Sequence, residues 1–535
     1  MKIDESNWLP HLENLPQDIK GYKSCTYLMA LEGWRRGLKL KFHLRRGVAI
    51  PPSIRYSLSD GNKEHFFVVA RGDKVTNEAI NICTEKPQTY IYLKKNNVPI
   101  PEGKAFAKDT KDSDILQYAK ELGFPLVIKP ADGKSGIGVI TDIRNIKDFM
   151  KAMKEVRNQL GYKEVIVERF IKGADYRVYV VGDKVVGIYK RIEANVIGDG
   201  KSTIKELIKN KNKIRKKNPF IYNRPIKVDA NLKNNLIEQN LSLESVPSKG
   251  ERIYLRKQGE YLKERDPVDI TDIVSDEIKD IAVKAMKSIP GLTHCDVDML
   301  VNEETGHAYV NEINSRPQIS NHLFPLEGLA RDIPKEVIDF YFPETKGQPR
   351  NDNLFFDFQP VFEGYRNMSI EEITIPDIPL DHTLIRYRLK GTLKNVGFER
   401  SIKRYCGRLK MNGYIKHLKN GETSIIVSGT SEDFKRFRRF LDKGSLNGAK
   451  IDEIKEFKRN KAVKIGFAIV TSLKTRNDLN TQIKDLKRTE LKLENKIKQL
   501  EKKCTYNLRR YNQVIESRSW KATKMFRKIG GLFKK

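Results

Sequence analysis

A chain of 535 residues, 39% of them hydrophobic, predicts several packed domains rather than one. Its net charge of +32, from 101 Lys and Arg against 69 Asp and Glu, predicts anionic partners, yet no nucleic-acid-reading motif accompanies it, which excludes nucleic acid. Five scattered cysteines without a CxxC pair exclude a disulfide framework and a zinc site, and they point to a reducing compartment.

Residues 1–95 read as a small α/β domain. Tyr27 to Leu38 has the spacing of an amphipathic helix ending at a glycine, and Lys39 to His43 reads as the strand after it. Met1 to Pro10 lack the apolar core of a signal peptide, so the expected location is the cytoplasm. From Cys83 a helix carrying Lys86 runs into the turn Val98-Pro99-Ile100-Pro101.

Residues 96–345 alternate strands and helices with short turns, which favours an α+β domain with a mixed sheet. Leu126-Val127-Ile128-Lys129 reads as a buried strand that delivers a lysine into the glycine-rich turn Asp132-Gly133-Lys134-Ser135-Gly136. Glycines let such a turn bring backbone N–H groups close to a polyanion, and the lysine adds a point charge. Farther along, Val297 to Leu300 reads as a buried strand with one inward carboxylate, Asp298. In Ala308 to Asn314, alternation puts Glu312 and Asn314 on one face. Buried carboxylates are costly unless paired or metal-bound, and three such oxygen-bearing side chains suit a hard divalent cation.

These segments, with Glu168-Arg169-Phe170-Ile171 and Asp175 between them, resemble the ATP-grasp ligases in order and spacing over roughly residues 20–345. That resemblance implies ATP and Mg²⁺, with Mn²⁺ as substitute, and phosphoryl transfer to a carboxylate followed by attack of an amine. It further implies that Lys86, Lys129, Gly133, Ser135 and Gly136 meet the phosphates, that Glu168 with the backbone of Phe170 and Ile171 holds adenine, and that Asp175 binds ribose. Asp298, Glu312 and Asn314 would bind metal. Arg316, then Arg191, Lys190 and Arg177, are the cations expected to meet the substrate carboxylate or the transferring phosphoryl group. Lys190 to Leu207 and Ser245 to Glu251 are similar to the cyanophycin synthetase and glutathione synthetase branch, which joins amino acids or peptides through amide bonds. The basic run Lys201 to Lys217 reads as a solvated face or a guide for an acidic substrate.

Residues 346–380, with Phe355, Phe356 and Phe358, read as a linker that packs onto a neighbour. Residues 381–460 resemble the acylphosphatases, a ferredoxin-like βαββαβ sandwich. In that family an arginine ends a Val-x-Phe-Arg loop and an asparagine orients water; here Glu399 and His417 stand in those places. An anion where a phosphate-binding cation belongs reverses the electrostatics, so a degenerate domain retained for binding or docking is expected.

Residues 461–535 carry 21 Lys and Arg against 6 Asp and Glu, a net +15. Leu479, Ile483, Leu486, Leu493, Ile497, Leu500 and Cys504 recur at spacings of four and three with Glu490 as a polar break, predicting a dimeric coiled coil. Ser517 to Lys535 is basic and amphipathic, which predicts peripheral contact with the anionic inner face of a membrane. The combined expectation is an ATP-dependent carboxylate–amine ligase acting on an amino acid, peptide or envelope polymer. Two rivals stand beside it: acyl-phosphate hydrolysis by the second domain, and a non-catalytic nucleotide-binding scaffold.

Overall fold

The computed structural model describes residues 8–470 except 13–15, 17–18, 44–53, 132–136, 258–261, 367–370, 395, 447 and 460; beyond 470 it describes only 483, 493, 496, 499 and 500. The chain divides into two units. One comprises Met1–Leu384, Ser428–Phe434 and Lys458–Gly466; the other comprises Ile385–Val427, Lys435–Phe457 and Phe467–Lys535.

Helix α1 (Lys23–Arg35) is buried from Ser24 to Arg35, so the element expected to be amphipathic is enclosed on all sides. Its charged residues tolerate this because each is paired. Arg35 donates to the carbonyls of Leu354 at 3.0 Å and His11 at 2.9 Å, and Arg36 donates to Glu32 at 2.8 Å and Asp339 at 2.6 Å. Beyond it run β1 (Lys39–His43), β2 (Arg55–Ser59), β3 (Glu64–Val68) and β4 (Arg71–Gly72), an antiparallel meander.

The single helix expected after Cys83 is divided. Helix α2 (Asn77–Thr84) ends at Glu85, where α3 (Lys86–Lys95) begins with Pro87 in its first turn. Strand β5 (Gly103–Phe106), α4 (Asp112–Leu122), β6 (Leu126–Pro130), β7 (Ile140–Ile143), α5 (Ile146–Lys154) and β8 (Val165–Arg169) follow. Their strands form a sheet in the order β5-β8-β6-β7, with Ile115, Leu126, Ile128, Phe149 and Val167 in its core.

Next come the long hairpin β9 (Ala174–Val181) and β10 (Lys184–Ile192), then β11 (Asn195–Ile197), α6 (Ile204–Lys217), α7 (Ala230–Glu238) and β12 (Arg252–Tyr254). Strands β11 and β12 pair as a small ribbon. Strand β13 (Asp266–Asp269), α8 (Asp276–Lys287), β14 (His294–Val301) and β15 (Ala308–Asn314) complete a five-stranded sheet in the order β13-β10-β9-β14-β15. Both sheets are antiparallel throughout, where a mixed sheet was expected. One face of the five-stranded sheet presents Tyr176, Val178, Ile188, Val297, Met299 and Val310 to a core shared with α2, α3 and α8. Side chains alternate along strands, so Asp175, Arg177, Arg191, Asp296 and Asp298 lie on the other face.

Helices α9 (Ser320–Leu323) and α10 (Ile333–Tyr341) lead into the stretch read as a linker, which holds β16 (Leu354–Phe355), α11 (Gln359–Arg366) and β17 (Glu372–Ile375). Strand β17 pairs with β1 and extends the first sheet to the order β17-β1-β2-β3-β4. Phe356 and Phe358 pack on Tyr27 and Phe42, so this stretch belongs to the core of the first unit.

The second unit centres on β18 (Thr383–Thr392), α12 (Phe398–Arg408), β19 (Asn412–His417), β20 (Thr423–Gly429), α13 (Ser431–Asp442), β21 (Ser445–Leu446) and β22 (Ala449–Lys458). After β23 (Val463–Lys464), which pairs with β16, comes β24 (Phe467–Val470), parallel to β19. The sheet order is β21-β22-β18-β20-β19-β24, so its last strand lies past residue 460, in the stretch read as the start of the tail. Tyr405 of α12 stacks on Phe440 of α13 at 3.9 Å, which joins the two helices. Of the expected coiled coil only Ile483, Leu493, Lys496, Gln499 and Leu500 are described, each helical; the rest of it and residues 517–535 lie outside the described residues. No helix among the described residues is long and apolar enough to cross a membrane.

Candidate active site

Backbone register places Tyr189, Arg177, Asp298 and Glu312 in one row across β10, β9, β14 and β15. Directly opposed residues of an antiparallel ladder share a face, with Cβ atoms roughly 4.5–5.5 Å apart, and like charges so placed repel. Asp298 and Glu312 are such a pair, and Asn314 stands opposite Asp296. Between Asp298 and Met299 the register steps from Glu312 to Val310, leaving Asn311 as the extra residue of a bulge. The bulge lets Val310 and Ile313 both enter the core while Asn311, Glu312 and Asn314 stay outside it.

Arg177 locks the aspartates of β14. It donates to Asp298 Oδ2 at 2.5 Å and to Asp296 Oδ2 at 3.4 Å, and Arg191 adds a bond to Asp298 Oδ2 at 3.1 Å. Burial alone would raise the Asp298 carboxyl, but the two guanidinium groups hold it below its ordinary value. Burial likewise works to lower Arg177, and Asp298, Tyr189 and Asp296 reverse this and raise it well above its ordinary value. Only one oxygen of Asp298 is used in this way. Its Oδ1 is buried with no hydrogen-bond partner, and Glu312 and Asn314 make no side-chain hydrogen bond or ion pair among the described residues. Two opposed carboxylates, one with a stranded oxygen, beside an amide oxygen form an all-oxygen donor set that fits Mg²⁺ or Mn²⁺.

A second cluster surrounds Lys129, which is 4% exposed. Its three ammonium protons meet three acceptors: Glu168 Oε1 at 2.7 Å, the Tyr90 hydroxyl at 3.0 Å and Asn311 Oδ1 at 3.0 Å. Tyr90 in turn donates to the Asn311 carbonyl at 3.1 Å. Burial would lower the Lys129 pKa, but Glu168 and Tyr90 raise it, so the lysine stays charged. Gly103 lies opposite Glu168 on β5, where a Cβ would come within 2.6 Å of the Glu168 Cβ, so only glycine permits the approach. Lys86 sits one helical turn before Tyr90 on α3, on the same side of that helix.

Other expected members are placed differently. Asp175, read as ribose-binding, has both oxygens engaged, one by Arg191 and one by Arg265 at 2.9 Å. Lys190 follows the opposite face of β10 and pairs with Glu303 at 2.6 Å, away from Arg191, because one step along a strand reverses the face. Arg316 is exposed, without a side-chain partner among the described residues. Phe170 commits its N–H to the Pro125 carbonyl at 3.0 Å, and Ile171 follows it between β8 and β9. Gly133, Ser135 and Gly136 lie outside the described residues. Sequence reading missed Tyr90, Asp296, Asn311 and Arg265. Tyr90, one turn after Lys86, and Asp296, two residues before Asp298, had local signals; Asn311 and Arg265 had none.

In the second unit Glu399, in the first turn of α12, accepts a bond from His417 Nε2 at 2.5 Å, and His417 Nδ1 meets Thr423 Oγ1 at 2.8 Å. Burial would raise the Glu399 carboxyl, but the His417 bond and its own backbone N–H hold it below its ordinary value. The two residues that depart from the acylphosphatase pattern therefore satisfy one another.

Residues 83–213 match the family model of the RimK-like ATP-grasp domain, and residues 385–469 match that of acylphosphatase. The glutathione biosynthesis bifunctional protein GshAB of Clostridium perfringens is 31% identical over 63% of this chain and 43% of the relative. The cyanophycin synthetase of Crocosphaera subtropica is 32% identical over 50% of this chain and 31% of the relative. The chain thus spans less than half the length of these curated relatives. The bifunctional glutathione synthetase of Pasteurella multocida aligns over 56% of this chain and 41% of that chain, at 24% identity and a TM-score of 0.45. The chain carries an ATP-grasp domain followed by an acylphosphatase domain.

Proposed function

We propose that this chain, with its ATP-grasp and acylphosphatase domains, is an ATP- and Mg²⁺-dependent ligase that activates a carboxylate as an acyl phosphate and joins it to an amine. The observation that carries the reading is the opposed pair Asp298 and Glu312, with Asp298 Oδ1 stranded and Asn314 alongside. Bound there, the metal would neutralise charge on the transferring phosphoryl group.

The chain's own residues divide the remaining work. Lys129 and Lys86 meet the phosphates, and Lys129 must exchange at least one of its three present acceptors to do so. Glu168 and the Phe170–Ile171 backbone border the base. Arg177 is a positioning residue, its donors committed to Asp296 and Asp298. Asp175 holds Arg191 in place. Arg316, two residues past Asn314 and without a partner among the described residues, is the cation for the substrate carboxylate.

Purified protein with ATP and Mg²⁺ should release ADP only with the right pair from a panel of amino acids, short peptides and amino sugars, with an amide product by mass spectrometry. Nucleotide binding without substrate-dependent ADP release across that panel would return the chain to a scaffold role. The proposal extends to the tail, on its sequence alone: residues 479–504 form a homodimeric coiled coil, and residues 517–535 lie on anionic bilayers. Each basic residue near such a surface contributes roughly 1 kcal/mol. Removing residues 517–535 should abolish low-salt co-sedimentation with anionic vesicles; unchanged pelleting would reject the anchor.

A further inference from the structure

Helix α6 distributes its charge unevenly. Residues 200–228 hold ten Lys and Arg against one acid, Glu206, a net +9. On its inner side Lys211 and Arg215 both pair with the single carboxylate of Asp266 of β13. On its outer side Lys205, Lys209, Lys213 and Lys216 are exposed and edge a groove of about 540 Å³. Lys205 reaches Glu244 only at 3.6 Å, between two exposed side chains, and Lys209, Lys213 and Lys216 have no carboxylate partner among the described residues.

The opposite wall is Tyr222, Pro225 and Val228, with Ile208 at the floor. That wall is tied to the helix rather than resting beside it. Asn212 donates to the Ile226 carbonyl at 2.9 Å and accepts from the Ile226 N–H at 2.8 Å. The groove therefore pairs a row of cations with an apolar wall held in place.

We propose that this groove binds an extended acidic peptide. A helix rises about 1.5 Å per residue, so Lys205, Lys209 and Lys213 recur about every 6 Å. Same-side residues of an extended peptide recur about every 6.6 Å, so alternate carboxylates meet successive lysines. The apolar wall takes the methylenes of the peptide side chains. Among the described residues Tyr222 is the only aromatic side chain lining the groove, too few for the stacking platform of a single-stranded nucleic acid. The exposed cations are lysines, point charges without the planar fork that favours phosphates, and the one guanidinium among the described lining residues, Arg215, is buried and paired with Asp266. The site is independent of the ligase reading, because it needs neither ATP nor metal.

The test uses the full chain without ATP and a fluorescent glutamate decapeptide, read by anisotropy at low salt. The variant Lys209→Ala, Lys213→Ala, Lys216→Ala should weaken binding about tenfold or more. A control, Lys147→Ala, Lys151→Ala, Lys154→Ala on exposed positions of α5, removes the same charge and should change it less than about twofold. No binding of the decapeptide, or equal losses in the two variants, would overturn the proposal. Inorganic polyphosphate displacing the peptide at equal or lower charge concentration would overturn the peptide assignment in favour of a phosphate polymer.

Discussion

The β14–β15 face of the first unit and the α12–β19 corner of the second use carboxylates in opposite ways. Asp298 and Glu312 are set against each other, with one oxygen of Asp298 stranded and Glu312 without a partner among the described residues. Glu399 is closed off by His417 and by its own N–H. On the first face an Asp298 oxygen and the Glu312 carboxylate are left without a partner among the described residues, although arginines hold the other Asp298 oxygen, whereas at the second corner His417 and a backbone N–H engage Glu399. Burial alone does not separate the two cases; the state of the lone pairs does.

The comparison breaks most visibly at Arg177. Arg177→Ala would leave the buried Asp296 without its arginine and Asp298 held by Arg191 alone, and losing one partner of a buried pair costs about 3–5 kcal/mol. Denaturant unfolding should show a loss of that order; a change under about 1 kcal/mol would mean the aspartates are not held by this arginine. Glu312→Ala should cut substrate-dependent ADP formation by at least about a hundredfold, or about 2.7 kcal/mol at 1.36 kcal/mol per decade. In metal-free protein the same change removes a like-charge contact and should raise stability by up to about 1 kcal/mol. Activity near wild type, or a destabilised metal-free protein, would sink the assignment.

In the second unit the effects are smaller. Full-length protein should hydrolyse acetyl phosphate no faster than background, because Glu399 repels the dianion; Glu399→Arg with His417→Asn should raise the rate. Robust hydrolysis by the unmodified chain would overturn the electrostatic argument. His417→Ala should cost about 1 kcal/mol in an urea melt, the range for one charged hydrogen bond that is partly exposed.

The weakest test contrasts two pH responses. Glu399 is depressed below its ordinary value of 4.5, so its contribution is present above that pH and is lost as pH falls through the depressed value. Asp332, on the first unit, is pushed by burial and then by Glu32 from 3.8 up to about 6. Folding therefore favours its protonated form, and that contribution is full below 3.8 and lost as pH rises through about 6. Asp332→Asn keeps an N-cap acceptor for Lys335 and should flatten the stability profile of the folded chain between these pH values. An unchanged slope would place the titration on another group.

Much of the candidate site was legible because strand periodicity is local. Alternation in Ala308–Asn314 was enough to put Glu312 and Asn314 on one side, and Leu126–Lys129 announced a buried strand ending in a lysine. Period alone could also have separated Lys190 from Arg191 and paired Asp296 with Asp298, had it been applied there. The bulge at Asn311 was not legible, because it exists only in the register between β14 and β15. Nor were the Arg265–Asp175 bond, the Lys129–Tyr90–Asn311 cluster or the pairing of β17 with β1, whose partners stand far apart in the chain. Residue order determined which groups each element could offer. Packing of the shared core decided which strands met and at what offset, and a one-residue change of offset moves every side chain to the other face.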